Sequence, residues 1–133
     1  MAVLNDVKTV GAPFRNESKI VRVTYDFSVD GGAIADYDVL ISDGVTLVEL
    51  VNIDVETAGV SGGSMVLDLG KGAGGTEFKS DLAVASMTLD AQIGADTAGK
   101  IVELADAEKI VLGIEAATLT AGKLNMMFRV YQR

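Results

Sequence analysis

Odd positions from Val21 to Val29 are apolar and even positions are polar. An extended chain with that alternation offers one face to a core and the other to water. Asp30-Gly31-Gly32 follows, residues that tolerate positive φ and close strands. The pattern predicts a strand ending in a turn.

The same grammar recurs downstream. Asp38-Val39-Leu40-Ile41 reads as a brief strand stopped by Ser42-Asp43-Gly44, with 33–37 as a connection or a short edge element. Val51, Ile53 and Val55 alternate with Asn52, Asp54 and Glu56 in a strand with one wet face, broken by Gly59, Gly62 and Gly63. Met65, Leu67 and Leu69 form another, closed by Gly70. The segment 80–86 suits a helical turn or the lead-in to a strand at 87–89. Ile110, Leu112 and Ile114 alternate, as do Leu124, Met126, Phe128 and Val130. Leu119-Thr120-Ala121-Gly122-Lys123 has the composition of a hairpin connection, which predicts that these last two strands are antiparallel neighbours.

No long helical period separates the strands, which argues against βαβ units. Half-wet strands bury their apolar faces against one another. The expected fold is therefore all-β: an antiparallel sandwich, jelly-roll-like, of about seven or eight strands. Residues 1–18 hold the only proline, Pro13, beside few periodic positions. They read as an irregular N-terminal arm preceding a single domain over 19–133.

Composition narrows the chemistry. The 133 residues include no Cys and no His, which removes disulfides, thiolate metal sites, the usual general base and the His-activated nucleophiles. An enzyme and a cofactor are not expected. The glycine-rich stretch 71–76 lacks the Gly-Lys-Ser/Thr ending of a phosphate loop and reads as a plain connection. The N-terminus lacks a basic region followed by an apolar core, so no signal peptide is expected, and no apolar run reaches membrane-spanning length.

The net charge is −8, unevenly spread. Residues 26–108 carry sixteen acidic and three basic side chains, whereas both flanking segments are net basic. An acidic body disfavours nucleic acid as a partner. Basic ends facing acidic surfaces on neighbouring molecules are the sharper consequence.

Three constellations merit structural attention. Asp30, Asp36 and Asp38 crowd near glycines and offer oxygens of the kind calcium prefers, without EF-hand spacing. Asp54 and Glu56 share a strand face, as paired glycosidase carboxylates do, but no Trp and few other aromatics supply a sugar platform. Met127 and Tyr131 lie on the outer face of the final strand and, with Arg15, Lys19, Arg129 and Arg133, are candidate contacts with another protein.

The stretch from Val23 to Ala33, the strand Ile53-Asp54-Val55-Glu56-Thr57 running on to the break at Gly63, and the Leu119–Lys123 segment with its final strand resemble head decoration (capsid cement) proteins of tailed bacteriophages. The resemblance implies a compact β domain, often a homotrimer, bound outside a phage head and bridging major capsid protein subunits. It implies an N-terminal arm lying along the shell or a neighbour, a location on the virion surface, and no catalytic residue. The competing expectation is a carbohydrate- or calcium-binding β-sandwich module of a tail fibre or cell-surface protein.

Overall fold

The computed structural model describes residues 2–10 and 18–132. It is an all-β sandwich, 65% strand and 6% helix. Among the described residues ten strands run in chain order as β1 (Ala2–Val10), β2 (Ser18–Asp26), β3 (Ala35–Ser42), β4 (Thr46–Ser61), β5 (Val66–Lys71), β6 (Lys79–Ala83), β7 (Gln92–Ile93), β8 (Ile101–Leu104), β9 (Lys109–Glu115) and β10 (Leu119–Gln132). A one-turn helix, α1 (Phe27–Asp30), follows β2.

One sheet orders its strands β1-β3-β9-β5-β6 and the other β2-β10-β4-β7, with β8 also pairing β4. All pairs are antiparallel except β1 with β3. Between the sheets lie the alternating apolar residues: Val23 and Tyr25 of β2, Ile53 and Val55 of β4, Ile110, Leu112 and Ile114 of β9, and Leu124 to Val130 of β10. Phe78 reaches into this layer from the β5–β6 connection and tilts against Phe128, with ring centroids 6.1 Å apart.

Several expectations are corrected. The segment read as an irregular arm contains a strand over residues 2–10, anchored by the buried Leu4 and Val10; residues 11–17 lie outside the described residues. β1 pairs with β3 only at its ends, with a register break between Val3 and Lys8. In the gap its backbone turns to the other sheet: the Asn5 amide donates to Asp30 Oδ1 at 2.7 Å, and Asp6 Oδ2 accepts from the Thr24 amide at 2.8 Å. β2 stops at Asp26, not Val29. The Asp26 carboxylate accepts from the Ser28 amide and starts α1, which leaves Val29 exposed.

The strands at 110–114 and 124–130 are not neighbours. β9 pairs with β3 and β5 in one sheet, whereas β10 pairs with β2 and β4 in the other. Residues 119–123 belong to β10, and the connection is the shorter 116–118, where Ala116 adopts φ 70°. Residues 80–86 divide into the end of β6 and a 3-10 turn over Val84–Ser86. At Val51 the β4–β10 register slips by one residue, so Val51 projects outward instead of joining the core.

Candidate functional site

The outer face of the β2-β10-β4 sheet carries most of the singled-out side chains. Antiparallel register sets them in cross-strand rows. One row runs Ile20, Arg129, Glu49, Ile101 across β2, β10, β4 and β8. The row beside it runs Ser18, Tyr131, Leu47, Glu103. On the other side lie Arg22, Met127 and Asn52, next to the bulged Val51. Ile20, Ile101 and Val51 are 55%, 50% and 41% exposed, although each is a large aliphatic residue. Arg129 Nη1 approaches Glu49 Oε1 at 3.3 Å within the row. Met127, Arg129 and Tyr131 are thus brought together as the sequence suggested. Lys19 is exposed on β2, and Arg15 and Arg133 lie outside the described residues. Ile20, Leu47 and Ile101 were missed, because only the register across four strands places them beside β10.

Toward α1 the same face becomes polar. Thr24 Oγ1 donates to Asn125 Oδ1 at 2.8 Å, and Asn125 Nδ2 donates to Asp54 and Glu56 at 3.2 Å each. Gln92 donates to Asp54, and Asn52 donates to Gln92. Lys123 pairs with Glu56 at 2.7 Å and holds its carboxyl below the ordinary range, helped by Asn125. A glycosidase acid needs the opposite shift. Asp54 and Glu56 thus sit in an amide–carboxylate ladder, and Lys123 and Asn125 bias Glu56 toward its ionised form. The adjoining hollow, about 280 Å³, is rimmed by Asp6, Asp30, Arg22 and Lys123.

Asp30, Asp36 and Asp38 do not converge. Asp30 spends both oxygens on backbone amides, those of Asn5 and Asp26. Asp38 is 2% exposed and pairs with Lys109 at 2.9 Å, while its Oδ1 is buried without a partner. Asp36 points at Gly113, where the missing side chain leaves room for Asp36 and Glu115. The carboxylates that do converge are Asp68, Asp81 and Glu115, with ligand oxygens all within 4.8 Å of one another. They come from β5, β6 and β9. Three such oxygens are raw material for a hard cation, and no fourth joins that set among the described residues.

The three carboxylates also repel one another. The Asp68 side chain, hydrogen-bonded to Glu115 and then acting through its charge, raises the Glu115 pKa, with Asp81 and Asp36 adding to the effect. A raised folded-state pKa means that stability from this group is complete below its ordinary value of 4.5. That contribution is lost as pH rises through the elevated folded value. Glu115→Gln removes one charge and keeps a donor toward Asp68. The variant is expected to melt slightly higher than the parent at neutral pH, with the difference vanishing in acid. Paired thermal melts across pH check this, and an unchanged or lower melting temperature at neutral pH counts against it.

Among the described residues, no helix is long and apolar enough to cross a membrane. The chain matches no family model, no curated protein and no solved structure.

Proposed function

We propose that this protein is a structural virion component, a decoration or cement protein that binds the outside of a phage head and stabilises it through contacts with the major capsid protein and with its own copies. The observation that carries this reading is the outer face of the β2-β10-β4 sheet. Ile20, Met127, Tyr131, Leu47 and Ile101 there surround an Arg–Glu pair. Aromatic residues, Met and Arg are the side chains that protein–protein interfaces favour. The acidic body and the basic flanks fit a partner surface of mixed charge. Binding an assembled shell would then stabilise it by mass action.

Co-sedimentation with undecorated tailed-phage heads tests the proposal. The protein is expected to pellet with the heads at micromolar concentration. Met127→Glu combined with Tyr131→Glu is expected to weaken binding on the order of 10-fold or more, because copy–copy contacts reinforce each shell contact. If the parent protein stays in the supernatant with every head lattice tried, the cement role is lost.

A further inference from the structure

The geometry points to a second copy of this chain as the occupant of the outer β2-β10-β4 face, paired about a two-fold axis that runs along the strands between β10 and β4. This narrows the assembly reading above by naming the partner of that face.

The row order carries the inference. Strand order across this part of the sheet is β2, β10, β4, β8. A two-fold axis along the midline lays β10 of one copy over β4 of the other, and β2 over β8. Each row then meets its own reverse. Ile20, Arg129, Glu49, Ile101 becomes Ile101, Glu49, Arg129, Ile20 on the opposing copy. Apolar ends meet apolar ends, and each Arg129 meets a Glu49. The next row, Ser18, Tyr131, Leu47, Glu103, sets Tyr131 on Leu47 twice and a Ser18 hydroxyl against a Glu103 carboxylate twice. On the other side Met127 faces Asn52 beside the exposed Val51. Every contact occurs twice, as an isologous interface requires.

Aligned face-to-face sheets keep their strands within about 30° of each other, so sheet twist tolerates this stacking. The charges also favour it over the alternatives. Within the chain each Arg129 has one Glu49 at 3.3 Å, and Arg129 remains 42% exposed. In the pair the two arginines and two glutamates form an alternating square. On the opposite sheet the carboxylates of Asp68, Asp81 and Glu115 converge instead, like charge beside like charge.

The test is the mass of the intact chain in solution, by sedimentation equilibrium at micromolar concentrations. The parent is expected to show twice the single-chain mass. Arg129→Glu places four carboxylates at the centre, and Glu49→Arg places four guanidiniums there. Each variant alone is expected to weaken pairing on the order of 10-fold or more. An equimolar mixture of the two is expected to pair again, because each variant's altered residue faces an opposite charge on the other. A merely intramolecular role for the Arg129–Glu49 pair would not produce that rescue. Ile20→Lys, at a residue outside the core, is expected to abolish pairing with far-ultraviolet circular dichroism unchanged.

A single-chain or three-chain mass for the parent overturns the two-fold pair, as does failure of the mixed variants to associate. So does a monomer that pellets with phage heads unless Ile20 is changed, since the shell then occupies the face. A dimer that never pellets with heads instead leaves the pair standing and removes the virion reading.

Discussion

Replacing Phe128 with alanine is expected to lower the unfolding free energy by about 3–5 kcal/mol, the range for deleting a fully buried aromatic ring. Phe128 is 0% exposed and lies in β10, with Val21 of β2 beside it on one side and Leu50 of β4 on the other. Its ring also meets Phe78, at 6.1 Å and 55° between planes. The substitution therefore opens a cavity at the junction of three strands and the β5–β6 connection, in a close-packed interior that relaxes only in part. Domains of this size are stable by roughly 5–15 kcal/mol, so the loss is a large fraction of the whole. A fall in melting temperature on the order of 10 °C or more follows. Phe78→Ala is expected to cost about as much, and the double variant less than the sum, since the second deletion removes a ring that already lacks its neighbour. A melting temperature for Phe128→Ala within a few degrees of the parent would contradict this core.

Gly32→Ala is also expected to destabilise the fold, for the opposite reason. A methyl group at Gly32 would land on the backbone carbonyl of Leu119 and press the Phe27 ring at 3.0 Å. The same two residues share a hydrogen bond, Leu119 N to Gly32 O at 2.9 Å, which fixes the start of β10 against the segment after α1. Backbone cannot rotate away as a side-chain tip can, so either this bond or the position of buried Leu119 must give. Overpacking of this kind costs about 1–3 kcal/mol and sometimes more. Gly31, only one residue earlier, has φ 78° and open space around its Cβ position. An alanine there meets strain but no clash. Denaturant unfolding of the two variants separates these effects: Gly32→Ala is expected to have the lower midpoint, and the reverse order would count against the clash.

Alternation made the core residues of β2, β4, β9 and β10 legible, because a period of two states which face each residue takes. It does not state which sheet a strand joins, so β9 and β10 read as neighbours in sequence although they lie in opposite sheets. Nor does it register a one-residue bulge. Val51 continues the apolar series in sequence, yet the slip against Met127 and Phe128 turns it to solvent. β1 was hidden because its two buried anchors, Leu4 and Val10, are six positions apart and the chain between them leaves the β3 ladder.

The site was readable to the same limited depth. Met127, Arg129 and Tyr131 follow from the parity of one strand. Ile20, Leu47 and Ile101 join them only through three separate registers. Asp30, Asp36 and Asp38 are close in sequence but do not bring their oxygens together, while Asp68, Asp81 and Glu115 are distant in sequence and meet over neighbouring strands.

The place of β10 in its sheet has a consequence for how the molecule is made. β10 is flanked by β2 and β4, and Asn125 bonds to Thr24 across 101 residues of sequence and to Asp54 across 71. Until β10 has been synthesised, β2 and β4 have no partner between them. Contacts of such long range pay their loop-closure entropy before any reward arrives, so folding is expected to be slow for a domain of this length. Through that interval two strand edges stand open on the nascent chain, the state most prone to pair with the wrong molecule. High expression rates should therefore fill inclusion bodies before they fill the soluble fraction, and slower synthesis at low temperature should reverse the balance.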